Sequence, residues 1–588
     1  MRSQARCLAV LWLLAAPGCS QDAELAASPK TMVKVIDGVP RILIDGTDGL
    51  KTGEALYYNP YVDRKTATVL NRYADGGWLT GVKKIIDGMQ DRGANALWLQ
   101  FFWQELDTSK SRPSDLGAAL NYGPLDAALD YARSKGIYIM LTPRIDTFLP
   151  AWFVAESRYP EPMDVAFNPC IPQERTADHA CIPVEICAAG DSRCCSQAKA
   201  ELYCCRPATA SDQAGGPAQL GADGLPRCTP IGPNPKYSGC SDCETDSYGW
   251  KYSTPSWASA TFRDDYAAVL TALVKRYKAH PAVMGWDLEL GPTGEDNYGP
   301  SYIAMRMIYG HVMGAAKTDQ VSDYSETAQK QFADWIAIRY ASDAALQAAW
   351  GDPSVTLSRV RLPDPRKLFQ PGVQAPFPDN FYTGIFVRLD QLTTMGRDLY
   401  DFREHVRDQT RKVFTRAIKQ NDPDHILSYS GSNNDAIFAN PDIDAINGHN
   451  HIEYALSQYG EDGVLAVMTA LQTKHGKASI FGLESDGGGS GGLAQSGSRE
   501  QQHDALRKAA QTVLCSGGYF GAAVSIPEIN PNYPTWTDAE LPVLQEIASY
   551  QVTAGCACDL VRPADTCLTM TVAQAVSLFQ IQGQYTCR

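Results

Sequence analysis

Apolar and polar positions along this chain follow two alternating rhythms. Short, nearly continuous apolar runs recur. Most are followed by stretches whose apolar residues fall three and four positions apart. The first pattern is that of a strand buried on both faces, the second that of a helix with one apolar stripe. The runs predict strands at 55–59, 96–101, 137–142, 283–288, 426–430, 445–448, 479–484 and 521–525. The spaced segments predict helices such as 79–92, 124–135, 262–280 and 501–514. Strand and helix in alternation imply an α/β fold with a parallel sheet. Eight strands are the number that closes a (β/α)8 TIM barrel. Ahead of them, residues 31–46 (TMVKVIDGVPRILIDG) read as a hairpin turning at Gly38-Val39-Pro40.

Two segments break the rhythm. Residues 155–255 are rich in Pro, Gly and Ser and hold ten cysteines, from Cys170 to Cys243. This insertion follows the third strand, which would put it on the C-terminal rim of the barrel. Residues 299–425 follow the fourth strand and read as mostly helical, with Tyr324 to Trp350 marking one long helix and Gly351-Asp352-Pro353 its turn. Four more cysteines, Cys556, Cys558, Cys567 and Cys587, lie in the tail 551–588. Even counts in two separate segments imply two local disulfide frameworks made in an oxidising compartment. Cys515 stands alone in an apolar stretch, as a buried thiol does. Cys240 and Cys243 have the Cys-x-x-Cys spacing of a zinc ligand pair, but the other clusters are vicinal rather than ligand-spaced, so disulfides are expected and no metal.

The N-terminus agrees with export. Arg2 and Arg6 precede the apolar run Cys7–Ala16, which is too short to span a bilayer. The sequence Ala16-Pro17-Gly18-Cys19-Ser20 resembles a bacterial lipoprotein cleavage box with Cys19 as the lipidated residue. The expected organisation is a signal over 1–19, a tether over 20–30, the barrel over 31–550 and the disulfide-bonded tail. The expected location is secreted, periplasmic or anchored to the outer membrane as a lipoprotein. Of the 588 residues 44% are hydrophobic, enough for a large core, and the net charge is -14. An acidic chain without Lys/Arg clusters makes a poor nucleic-acid binder.

Side chains at the C-terminal strand ends of a barrel face its active site. Here those ends supply Trp103, Arg144 and Asp146, Glu289 and Glu295, Asn433 and Asn434, His449, Asn450 and His451, Glu484 and Asp486, and Glu528. Carboxylates, amides and imidazoles bind hydroxyl groups, and aromatic faces stack on sugar rings. Glycoside hydrolysis needs two carboxyl groups across the scissile bond. No Gly-x-Ser-x-Gly elbow appears on a predicted strand–helix turn, as a serine hydrolase needs. The run Gly487-Gly488-Gly489 lacks the Lys-Ser/Thr of a phosphate cradle.

Four pieces of the chain carry a resemblance: Gly93-Ala94-Asn95-Ala96 running into Phe102-Trp103; Gly123-Pro124-Leu125-Asp126 with Ala132 to Gly136; Thr142 through Pro150-Ala151-Trp152; and Tyr324 to Trp350. In this order they resemble the retaining (β/α)8 glycosidases of the family-42 β-galactosidase-like group, over residues 31 to about 545. The resemblance implies a nucleophile closing the seventh strand, which maps onto Glu484. The family's fourth strand ends in Asn-Glu, where this chain has Leu290-Gly291. Four residues on, Gly291-Pro292-Thr293-Gly294-Glu295 is similar to the Gly-Pro-Ala-Gly-Glu loop of the β-amylases, whose Glu is the general acid. The expected pair is therefore Glu484 as nucleophile and Glu295 as acid/base, with Glu289 the alternative acid. Glu289 reads more readily as a structural or substrate-binding carboxylate. A deeper β-amylase likeness would make Glu528 the base of an inverting glucan hydrolase. The altered fourth strand also leaves room for a non-catalytic glycan-binding barrel. Trp103 and Trp152 are expected as stacking platforms. Asn433, Asn434, His449, Asn450, His451, Arg144, Asp146 and Asp486 are expected to contact a carbohydrate substrate. No cofactor is expected.

Overall fold

The structure is a computed structural model that describes residues 27–50, 52–56, 62–63, 68–69, 73, 76–144, 150, 152–153, 243–245, 251–290, 323–363, 367–368, 370–371, 392–430, 439–450, 475–483, 498–515, 518–524, 542–543 and 545–547. It begins with the antiparallel hairpin β1 (Thr31–Ile36) and β2 (Val39–Ile44). The turn is two residues, Asp37 and Gly38, with φ of 51° and 79°. It is tighter than the expected turn at Gly38-Val39-Pro40, because an Asp-Gly pair accepts the positive φ that a two-residue hairpin requires.

β3 (Thr52–Leu56) starts the barrel. The short pairs β4 (Val62–Asp63) with β5 (Thr68–Val69) and β8 (Cys243–Thr245) with β9 (Lys251–Pro255) stand outside it. The remaining barrel strands are β6 (Ala94–Phe102), β7 (Tyr138–Arg144), β10 (Val283–Glu289), β11 (Ile426–Ser430), β12 (Ala445–Asn450), β13 (Ala478–Leu483) and β14 (Tyr519–Val524). Each pairs in parallel with the next, and β14 pairs back onto β3, so eight strands form a closed ring. All eight predicted strands are present. The first lies three residues earlier than expected, and a Cβ at its Gly53 would meet the Trp98 ring.

Helices cover the ring. They are α1 (Gly77–Arg92), the single turn α2 (Trp103–Leu106), α3 (Gly123–Ser134), α4 (Ala260–Tyr277), α5 (Glu326–Arg339), α6 (Asp343–Trp350), α7 (Thr394–Lys419) and α8 (Arg499–Cys515). Hydroxyl caps start four of them: Ser259, Ser325, Ser342 and Thr393 each accept a backbone N–H of the first turn. The expected single helix from Tyr324 to Trp350 is two, α5 and α6, because Ser342 opens a new helix. Asp398 on α7 holds both, accepting Tyr340 Oη and Trp350 Nε1 at 2.7 Å each and pairing with Arg339 Nε at 2.8 Å.

The core has two parts. Trp78, Leu129, Val269, Leu273, Trp286, Leu288, Phe402 and Phe414 belong to a layer between ring and helices. A smaller cluster inside the ring joins Trp98, Met140, Met284, Ile426 and Ile480 to Ile42 and Ile44 of the hairpin. The hairpin thereby seals the N-terminal end of the barrel. Thr31 Oγ1 donates to the Met284 carbonyl at 2.6 Å and accepts the Ile426 N–H at 2.8 Å. Tyr519 Oη accepts the Ile42 N–H at 2.7 Å and donates to its carbonyl at 3.1 Å.

Candidate active site at the barrel mouth

Side chains alternate in and out along each barrel strand. The inward series begins apolar at the sealed end, with Trp98 on β6, Met140 on β7 and Ile426 on β11. It turns polar towards the C-terminal end, with Gln100, Thr142 and Arg144, Asp287 and Glu289, and Ser428 and Ser430, all buried.

Glu289, the last residue of β10, lies at the centre of one cluster. Arg144 Nη1, from the last residue of β7, is 3.3 Å from its Oε1, with side-chain exposures of 2% and 4%. Gln100 Nε2 donates to its other oxygen in a short hydrogen bond. The Arg144 guanidinium also lies 5.5 Å from the Phe102 ring centroid. Asp287, one inward step deeper, accepts the Ser430 hydroxyl at 2.8 Å and the Ser428 hydroxyl in a short bond. Buried carboxylates are stable only with such partners. A guanidinium beside a carboxylate favours its ionised form, whereas a general acid must carry a proton. Glu289 thus has a cationic and an amide partner at the inner strand ends.

The two tryptophans expected as platforms lie in a packed wall. Trp103 is 1% exposed and Trp152 7%. Their rings meet edge-on at 5.6 Å, Trp103 lies 5.5 Å from Tyr266, and the wall continues through Phe153, Phe262 and Phe414. Trp152 Nε1 donates to Asp107 at 2.7 Å. Neither ring has an open face for a sugar in this arrangement.

His449 and Asn450 end β12, paired with Gly482 and Leu483 of β13, and their side chains lie outside the described residues. So do Asp146, Glu295, Asn433, Asn434, His451, Glu484, Asp486 and Glu528. In the sequence, Glu484 directly follows β13 and Glu295 is six residues past the end of β10. The structure adds Gln100, Asp287, Ser428 and Ser430, which the reading of strand ends missed. Their signal was parity: each is a polar residue on the inward register of an otherwise apolar strand. Among the described residues no cluster of His, Cys, Asp and Glu could hold a metal ion.

No family model matches this chain, and no curated protein matches it. Solved structures do. The β-galactosidase of the psychrophilic Marinomonas ef1 is 11% identical, with a TM-score of 0.43 over 85% of this chain and 59% of that one. The β-galactosidase of the Antarctic haloarchaeon Halorubrum lacusprofundi is 13% identical, with a TM-score of 0.46 over 86% and 58%. An exo-β-agarase is 11% identical, with a TM-score of 0.43 over 90% and 66%. The chain thus spans less than two thirds of these proteins' lengths. Likeness of this degree says nothing of substrate.

Proposed function

We propose that this protein is a glycoside hydrolase whose active site is the open end of the barrel. The observation that carries the reading is the closed parallel ring whose interior turns polar at the C-terminal strand ends. The fourth strand, β10, leads into Gly291-Pro292-Thr293-Gly294-Glu295, and the seventh, β13, leads into Glu484. Both strands run towards the polar end of the barrel interior, where Glu289, Arg144 and Gln100 meet. In a (β/α)8 barrel that end is where catalytic groups gather.

The mechanism that fits is retaining, on a β-galactoside-like substrate. The Glu484 carboxylate attacks the anomeric carbon as the glycosidic C–O bond breaks, and Glu295 gives its proton to the leaving oxygen. Glu295 then takes a proton from water as that water displaces Glu484 and frees the sugar. Arg144 and Glu289 shape the floor of the site. Export and lipidation at Cys19 belong to the same reading, as do disulfides within 155–255 and 551–588.

Steady-state hydrolysis of aryl glycosides tests it. Glu484→Gln abolishes turnover, and Glu295→Gln lowers kcat by about 10²–10⁴-fold. Two active variants would refute the assignment, and an inactive wild type across neutral aryl glycosides and polysaccharides would favour a glycan-binding barrel. The β-amylase-like loop supports a second reading, in which Glu528 activates water and the anomer inverts. Proton NMR of the first-formed product separates the two outcomes.

A further inference from the structure

Helix α7 carries three arginines where its pattern calls for apolar side chains. Arg403, Arg407 and Arg411 follow one another at successive turns and are 1%, 0% and 2% exposed. Residues seven and eleven positions on from Arg403 share its stripe of the helix. They are Thr410, which donates to the Trp257 carbonyl at 3.2 Å, and Phe414, whose ring meets those of Phe262 and Tyr266 on α4. Phe402, its neighbour in sequence, packs on Phe332 and Trp335 of α5. Arg403 thus stands on the covered side of α7, beside the place where α5 docks.

A guanidinium stays charged at any pH at which a protein folds. Buried, it needs a negative partner. The acids of α7 are committed elsewhere. Asp398 receives Tyr340, Trp350 and Arg339, and Asp401 pairs with Arg339 and Arg397. Glu404 pairs with Arg407 and Asp408 with Lys412, each at 2.6 Å. On α4, Asp265 holds Arg112. Ahead of α5, Asp323 accepts the Ser256 hydroxyl and the Ser325 N–H. Neither Nη1 nor Nη2 of Arg403 has a hydrogen-bonding partner. Arg407, one turn on, sets a second buried cation beside it.

We propose that Arg403 anchors a binding site for one small tetrahedral oxyanion, sulfate or phosphate, held by its two Nη groups with the charge of Arg407 beside it. The planar fork of a guanidinium matches two oxygens of such an ion. A side chain 1% exposed admits a free ion and not a glycan chain, so the site is independent of what the barrel mouth does. Bound there, the ion neutralises an otherwise unpaired cation where α5 and α7 meet, and it stabilises the fold without entering the reaction.

Calorimetric titration tests the site. The whole protein, dialysed into Hepes and sodium chloride, is titrated with sodium sulfate and separately with sodium phosphate. Both are kept in the low-millimolar range, where the general exclusion of sulfate from protein surfaces has little effect. Wild type should bind one ion per chain saturably, and Arg403→Met should weaken that binding at least about tenfold. Binding of either ion supports the site, and the tighter one identifies its occupant. Thermal melting supplies a second readout. Arg403→Met keeps a buried apolar stem and removes the unpaired charge, so without either ion it should melt no lower than wild type. The ion should then raise the midpoint of wild type alone. Absence of saturable binding by both ions would overturn the proposal. Equal binding by wild type and Arg403→Met would overturn it too, since the ion would then sit elsewhere. So would an Arg403→Met midpoint well below wild type in the ion-free buffer, because a carboxylate of the chain would then already pair with Arg403.

Discussion

At the scale of single residues, two buried carboxylates have their tasks set by their partners. Glu289 neutralises Arg144 where neither reaches water. Removing one member of a buried pair exposes the other to an uncompensated desolvation cost, so Glu289→Ala should destabilise the fold by about 3 kcal/mol. Glu289→Gln, which keeps a hydrogen-bonding group for Gln100 or Arg144, should cost less. Urea unfolding measures both, and equal losses would mean that the charge is not what matters. Asp422 shows the pH counterpart. Burial alone would raise its pKa, but hydrogen bonds from His425 at 2.7 Å and Trp286 Nε1 at 2.8 Å outweigh it and hold the carboxyl below the usual range. A depressed carboxylate stabilises the folded state fully above its unfolded pKa, and that stability is lost as pH falls through the folded value. Wild type should thus lose stability below about pH 4 more steeply than Asp422→Asn, by up to about 1.4 kcal/mol per pH unit. Parallel acid limbs of the two urea midpoints would remove Asp422 from the account.

Among the elements, the strands were the most legible part of the chain. A parallel strand inside a barrel is covered on both faces, so it is written as an unbroken apolar run such as Ala-Leu-Trp-Leu within β6 or Ile-Leu within β11. Helix ends were less legible. Ser342 looks like any surface serine until its hydroxyl is seen accepting the Ala345 N–H, and that cap splits one expected helix into α5 and α6. One buried acid gathers the donors of these helices. Asp398 is fully buried and receives Tyr340, Trp350 and Arg339, and with burial it pushes the Tyr340 phenol up to about 12. Asp398→Ala takes the acceptor from Tyr340 and Trp350, while Arg339 keeps Asp401, and should cost about 3 kcal/mol, concentrated where α5 and α6 dock on α7. Native-state hydrogen exchange should show faster exchange in α5 and α6 with β6 and β7 unchanged. A uniform acceleration through the barrel would show that the three helices are not a separable unit.

For the whole molecule, the barrel's polarity runs from sealed end to mouth, and the two ends were unequally readable. The sealed end follows from pattern, since a hairpin with alternating Ile42 and Ile44 must cover something apolar. The mouth is written in loops, where no period guides the eye. Resemblance to known glycosidases singled out Glu295 and Glu484, while the inward polar residues Gln100 and Asp287 had only their parity to mark them. The distance between the ends makes a last prediction. Tyr519→Phe removes both hydrogen bonds to Ile42 and should cost about 1–2 kcal/mol. Tyr519 bonds Ile42, Asp48 and Arg41 at the sealed end, whereas Glu289 meets Arg144 and Gln100 at the far ends of their strands. Distant sites add, so Tyr519→Phe with Glu289→Ala should equal the sum of the single losses within about 0.5 kcal/mol. A urea double-mutant cycle measures this. A coupling well above that value would mean that the packed interior between Trp98 and Met284 transmits strain along the barrel axis, and that the floor of the site is set partly from the sealed end.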